Sequence, residues 1–315
     1  MKYDSSALYR TAVLFTVIPL AFAGPLGKLA LSWGDSPIII AFWRQLTATV
    51  GTLAIALTSP RARGALFPLT RPTALLPAMA GLLLAGHYFN WYSALSRTTV
   101  FNVTILSCLQ PFFALAGGWL LYRERTSPRA LAAIALAAAG AVMIGFFSAS
   151  QEGQASLAGD GFAVLSAVFF TGYLLCGQSA GGRIPPLAYM TVLYGSSALI
   201  LAAAAAATAT PLWPSDIRTI GVAVLLTLTA TFMVHSVYNW AVGRVGAVYV
   251  TVVTLAEPAG ASLVSWILFS EIPGAASLAG GALVLAGVIL YIVFSRRSGA
   301  AIGKKVVSRS ECASG

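Results

Sequence analysis

Two polar residues stand directly ahead of prolines inside long apolar runs: Gln110 before Pro111 in SCLQPFFAL, and Glu257 before Pro258 in TLAEPAGASL. A carboxylate at that depth has two uses. It exchanges a proton or contacts a cationic substrate group, or it accepts hydrogen bonds from backbone that the proline leaves open. Gln110, an uncharged amide at the matching site, suits the second use. Both prolines are expected hinges. Arg44 lies seven residues inside its run, about 10 Å along a helix. It either clamps a carboxylate with two parallel hydrogen bonds or pairs with helix-end carbonyls. Two polar-aromatic clusters follow: His87, Tyr88, Asn90 and Trp91 in HYFNW, and His235, Tyr238, Asn239 and Trp240 in HSVYNW. Their rings line a solute pathway, or the tryptophans anchor at a membrane interface. Tyr173 is a further pathway candidate.

Those residues need a scaffold, and composition says which. Of 315 residues, 58% are hydrophobic and 9% charged, against about 25% charged in a soluble domain. That balance cannot cover a water-facing surface, so the chain belongs in a bilayer. A crossing helix needs roughly 20 apolar residues. Ten such runs are visible, near 11–31, 37–58, 73–95, 99–122, 128–147, 159–179, 186–207, 217–242, 247–269 and 275–295. The expected fold is therefore an all-α integral membrane protein with ten transmembrane helices.

The net charge of +10 records topology rather than a nucleic-acid partner. With the N-terminus in the cytoplasm, Arg10, the arginines at 61, 63, 71, 123, 125, 129, 183 and 244, and the basic tail all fall on the cytoplasmic side. Only Arg97 and Arg218 fall in the opposite loops. This positive-inside bias places both termini in the cytoplasm.

The chain also repeats itself. A shift of 147 residues carries Val103-Thr104 onto Val250-Thr251, Gln110-Pro111 onto Glu257-Pro258, Trp119 onto Trp266, Glu124 onto Glu271 and Gly140 onto Gly287. The boundaries read as a first five-helix repeat at 1–147, a polar inter-repeat loop at 148–158, a second repeat at 159–295 and a basic tail at 296–315. Five helices is an odd number, so the second copy enters the membrane upside down. A 5+5 inverted repeat of this kind encloses a midplane site between its halves and rocks to alternate access. Counting along the helices puts His87 and Asn90 toward the outside and His235 and Asn239 toward the cytoplasm, one cluster for each half of a pathway. The Gly- and Ala-rich fifth and tenth helices read as packing scaffold or a dimer face.

With GGWLLYRERTS closing the fourth helix, LAEPAGASLVSWILFSEIPG forming the ninth and FWRQL in the second, the chain resembles the drug/metabolite transporter superfamily, and within it the EamA-type ten-helix carriers. The resemblance runs from about Ala12 to Phe294. It implies bidirectionally accessible carriers, often exporters of amino acids or related metabolites. The expected function is secondary active or facilitative export of a small polar metabolite across a bacterial inner membrane, with protons as candidate coupling ions through Glu257. The alternatives are a lipid or lipid-linked sugar flippase of the same fold, an intramembrane enzyme, and a structural subunit. An enzyme would want convergent acids and bases or a metal cluster, and the three scattered cysteines offer no metal spacing. No cofactor and no nucleotide-binding GxxxxGK[ST] loop is expected. The expected partners are a small-molecule substrate and membrane lipid, with the chain a monomer or homodimer.

Overall fold

The computed structural model describes residues 5–67, 70–98, 100–148, 156–180, 183–260 and 275–312. All regular structure among them is helical. The first apolar run is broken into α1 (Ser5–Phe15), α2 (Val17–Leu20) and α3 (Ala23–Ser32). There follow α4 (Pro37–Thr58), α5 (Pro60–Leu66), α6 (Arg71–Leu95), α7 (Val100–Ser107), α8 (Gln110–Tyr122) and α9 (Pro128–Ser148). The rest comprises α10 (Leu157–Ala180), α11 (Pro186–Ala207), α12 (Arg218–Leu226), α13 (Ser236–Val245), α14 (Ala247–Thr254) and α15 (Ala275–Cys312). A π-helical stretch, Thr227–His235, joins α12 to α13.

Among the described residues, six stretches are long and apolar enough to cross a bilayer: Ala7–Ser32, Pro37–Thr58, Leu157–Ala180, Pro186–Ala207, Arg218–Val245 and Leu278–Ser295. Pro128–Met143 and Ala247–Gly260 are shorter apolar helices. Large apolar side chains such as Phe15, Ile18, Leu120 and Leu199 face outward, which suits lipid. The helical backbone of α15 continues past the expected end of the tenth run. Trp266, Glu271 and most of the 148–158 loop lie outside the described residues.

The fourth run is not one helix. Proline lacks an N–H, and its ring clashes with the carbonyl of the residue four back. For Pro111 that residue is Ser107, where α7 stops; for Pro258 it is Thr254, where α14 stops. The chain turns at 108–109 and at 255–256, then resumes a helix at Gln110 and at Glu257. Both breaks fall at the same register, 147 residues apart.

Packing is set by missing side chains. The fifth and tenth runs, as α9 and α15, pack against each other. A Cβ on Gly140 would sit 2.6 Å from the Gly280 carbonyl oxygen, and one on Gly287 would sit 2.7 Å from that of Ala133. Backbones at that distance admit only glycine. The π-helical stretch seats Phe232 over Gly51 of α4, where a Cβ would lie 2.6 Å from the ring. Lys28 caps α6, donating to the carbonyls of Leu95 at 2.7 Å and Thr98 at 3.3 Å.

Side chains tie the two ends differently. At one end Gln178 donates to Glu124 Oε1 at 2.7 Å and accepts the Ala247 N–H at 2.7 Å. There too, Tyr249 donates to the Arg10 carbonyl at 3.1 Å. At the other end Asp35 accepts the Ser215 N–H at 2.6 Å and the Thr219 hydroxyl. Trp43 Nε1 donates to the Leu212 carbonyl at 2.9 Å. Outside the apolar stretches, hydrogen bonds from Arg218 hold the Asp216 carboxyl below the usual carboxylate range.

Candidate functional site

Between these ends lies a cavity of about 40 Å³, room for roughly three waters. It is lined by Leu20, Ala23, Arg44, His87, Tyr88, Trp91, Ser107, Gln110, Phe170, His235, Tyr238, Thr254 and Glu257. The helix breaks matter here. Ser107 and Gln110 flank the turn after α7, and Thr254 and Glu257 flank the turn after α14. The broken α1–α3 run contributes Leu20 and Ala23 on either side of its own turn.

Arg44 is 2% exposed. Its Nε donates to Thr231 Oγ1 at 2.9 Å and its Nη1 to the Tyr92 hydroxyl at 3.2 Å. The guanidinium carbon lies 4.3 Å from the centre of the Tyr88 ring, cation–π distance. These contacts fix the plane of the fork and leave Nη2 with no partner among the described residues. Glu257 is partly exposed and makes no ion pair or hydrogen bond among the described residues. One cavity thus presents an immobilised cation and a carboxylate not engaged with each other. Across it, the buried amide oxygen of Gln110 accepts from the Thr254 hydroxyl at 3.1 Å, so the two broken helices are bonded at their breaks.

The lining obeys the shift seen in the sequence. Ala23 and Phe170, Tyr88 and His235, Trp91 and Tyr238, Ser107 and Thr254, and Gln110 and Glu257 each stand 147 residues apart. Matching HYFNW to HSVYNW by letters shifts the register by one or two residues; the cavity keeps the strict count. Leu20, Arg44 and His87 break the pattern, their counterpart positions being held by Ala167, Thr191 and Val234 outside the lining.

The two polar-aromatic clusters meet instead of separating to opposite halves. The rings of His87 and His235 lie 6.2 Å apart, Tyr88 and His235 5.5 Å, and His87 and Phe170 5.0 Å. A uniform 1.5 Å rise per residue misplaces the second cluster. The π-helical stretch bonds i to i+5, fits more residues into each turn and leaves His235 less far along its run. Long side chains close the remaining gap.

Hydrogen bonds orient both imidazoles. His87 Nδ1 lies 3.1 Å from the Ser166 carbonyl and 2.9 Å from its hydroxyl. His235 Nδ1 lies 3.0 Å from the Tyr173 hydroxyl. Tyr173 is therefore a buried support behind the cavity wall. Asn90 spends its Nδ2 on the Gly86 carbonyl of its own helix at 2.7 Å and stands outside the lining. Trp240 packs at a tilt against Tyr9, centroids 4.3 Å apart, and both Trp240 and Asn239 stand outside the lining. Pro111 and Pro258 are buried beside the cavity without lining it.

Sequence reasoning missed Leu20, Ala23, Ser107, Phe170 and Thr254 as lining, and Thr231 and Tyr92 as the residues that hold Arg44. A signal existed for two of them. Ser107 and Thr254 are hydroxyl residues three positions before Gln110 and Glu257, so the pattern Ser/Thr-x-x-Gln/Glu-Pro occurs twice.

The sequence profile of the EamA-like transporter family matches residues 9–146 and again 157–293. An uncharacterized transporter of Bacillus subtilis (strain 168), YwfM, is 26% identical over 286 residues, covering 82% of this chain and 93% of the relative. A solved structure described only as a crystal structure of protein superposes with a TM-score of 0.72 at 19% identity, covering 93% of this chain and 98% of that one. At that identity the superposition speaks for the fold.

Proposed function

The chain belongs to the EamA-like transporter family, and from that premise we propose that this multi-pass membrane transporter is a secondary carrier for a small zwitterionic metabolite, such as an amino acid or related compound. Arg44 takes the cargo's carboxylate through its open nitrogen, and Glu257 faces the cationic group or a proton that replaces it. One observation carries the reading: an immobilised guanidinium and an unpaired carboxylate share one cavity whose other walls are largely aromatic. A charged group at mid-membrane costs about 2.5–3.5 kcal/mol on insertion scales, a cost that a charged cargo offsets.

Ten spans in two oppositely inserted halves support alternating access. That arrangement accounts for the paired lining, the matched breaks at Ser107 and Thr254, and the twofold match of the family profile. The basic residues support cytoplasmic termini, the Ala-rich, bacterial-looking composition supports an inner-membrane location, and the resemblance to exporters supports export. The cavity is too small for a metabolite as it stands, so it must widen to load. Counterflow in liposomes with labelled amino acids, their decarboxylated amines, sugars and nucleosides tests the proposal. Exchange of amino acids but not of the matching amines is expected. Exchange of sugars or nucleosides alone would remove the zwitterion reading.

A further inference from the structure

The groups that close the two ends of the molecule are not equally content. At the Asp35 end both carboxylate oxygens are used, Trp43 Nε1 is bonded, and the Arg218 guanidinium lies 4.7 Å from the Trp33 ring centre. At the Gln178 end, one layer below the surface, the Tyr189 hydroxyl on α11 and both amide atoms of Asn239 on α13 are buried with no hydrogen-bond partner. These groups converge on one spot. A Cβ built on Gly177 of α10 would lie 3.5 Å from Tyr189 Oη and 3.8 Å from Asn239 Oδ1. Asn239 follows His235 by four residues, so it is the next group along the same helix face, one turn from the cavity toward Arg244. Gln178, directly after Gly177, spans the surface above with its bonds to Glu124 and to the Ala247 N–H.

Buried polar groups are nearly always paired, and leaving them unpaired penalises the conformation that buries them. Other buried groups also lack partners, among them both amide atoms of Gln45 on α4, but in this seam two such residues meet at one spot beneath Gln178, whereas Asp35 and Trp43 at the opposite surface are bonded. We propose that the seam between α10, α11 and α13, lined by Asn239 and Tyr189 and plugged by Gln178, is the hydrated route by which a small polar solute reaches the cavity from the end that carries Arg244. The side chains that lack partners when the seam is shut gain water, and then cargo, when it opens. The Asp35 end stays sealed meanwhile. This route rests on the carrier reading above, but its test does not require the cargo to be known.

The test is thiol accessibility in proteoliposomes with a membrane-impermeant methanethiosulfonate. Asn239→Cys, in a chain whose native cysteines at 108, 176 and 312 are replaced, is expected to react from the same face as an Arg244→Cys control. Adding Gln178→Ala should raise its rate at least tenfold. Adding Tyr189→Phe, which removes one unpartnered hydroxyl, should lower it several-fold. A second measurement uses the otherwise unaltered chain. Cys176 adjoins Gly177 and lies near Tyr189, and its alkylation should accelerate in Gln178→Ala. An unreactive Asn239→Cys with Arg244→Cys reactive, together with no change at Cys176, would overturn the route even if counterflow succeeds. Reactivity from the opposite face would overturn it as well. Conversely, labelling as expected with no counterflow of any solute would retain the route and remove the carrier.

Discussion

Replacing Arg44 by lysine keeps the charge in the cavity and removes the fork. In the native protein Nε is held by Thr231 and Nη1 by Tyr92, with the guanidinium carbon over the Tyr88 ring. On the proposed reading, a cargo carboxylate therefore meets a donor that is already oriented. A lysine ammonium is a compact point charge on a flexible stem, and satisfying Thr231 and Tyr92 pulls it away from the cargo. Losing one charge-assisted hydrogen bond costs about 1.5–3 kcal/mol, which is about 10- to 150-fold in Kd. Arg44→Ala removes the donor altogether and should weaken binding by at least about 100-fold. Trp91 lines the cavity, so quenching of tryptophan fluorescence in detergent reports occupancy, checked by competition with labelled cargo. The decisive comparison is between an amino acid and its decarboxylated amine. The lysine and alanine variants should weaken the acid and leave the amine as weak as it already is. Equal losses for both ligands would show that Arg44 supports the fold rather than the cargo. An unchanged Kd in Arg44→Lys would refute the oriented-fork argument.

Further outcomes follow from the same geometry. Glu257→Gln should retain counterflow but no longer accumulate cargo against a pH gradient, measured as gradient-driven uptake in liposomes; unchanged gradient dependence removes the proton role. Thr254→Val strips the donor from the buried Gln110 amide oxygen and should destabilise by about 1–3 kcal/mol, read as a lower thermal midpoint. Gly140→Val drives a side chain into the α15 backbone, where overpacking costs about 1–3 kcal/mol. Gly64→Ala, with nothing within 4 Å of the added carbon, is the matched control and should leave the thermal midpoint unchanged. Trp240→Ala loses its contact with Tyr9 but should leave the Kd for cargo unaltered, since the ring stands outside the cavity.

What the sequence revealed and what it hid have separate physical causes. Gln110 and Glu257 were legible because a polar residue before a proline in an apolar run is costly on two counts, and the 147-residue spacing repeats both. Arg44 was legible for its depth alone, yet its holders, Thr231 and Tyr92, come from distant helices and carry no local mark. Asn90 looked like a pathway residue until its amide was found bonded to the Gly86 carbonyl, a choice that composition cannot show. The π-helical stretch was invisible too. Its residues read as ordinary apolar helix, and the accommodation of Phe232 over Gly51 is a tertiary event. That local change carries His235 into reach of His87 and turns two expected half-sites into one.

The site is symmetric in shape and asymmetric in charge, and both properties are needed. If the proposed halves open alternately, paired positions such as Trp91 and Tyr238, or Ser107 and Thr254, offer a cargo nearly equal walls. A ligand that binds both states equally shifts neither, which suits a carrier that must load on one face and release on the other. Arg44 opposite Thr191 in register, and Glu257 opposite Gln110, break that equality. They give the cavity a guanidinium on one wall and a carboxyl group on another, so on the proposed reading a dipolar cargo has one orientation in it. Moving the carboxylate to the other half, as Gln110→Glu with Glu257→Gln, preserves composition and reverses that orientation only if the halves are interchangeable. Arg44 does not move with it, so the exchanged protein should bind amino acids less well while its fold and melting behaviour are retained. Undiminished binding in that variant would mean that the position of the carboxylate is irrelevant, and that Arg44 alone sets the cargo.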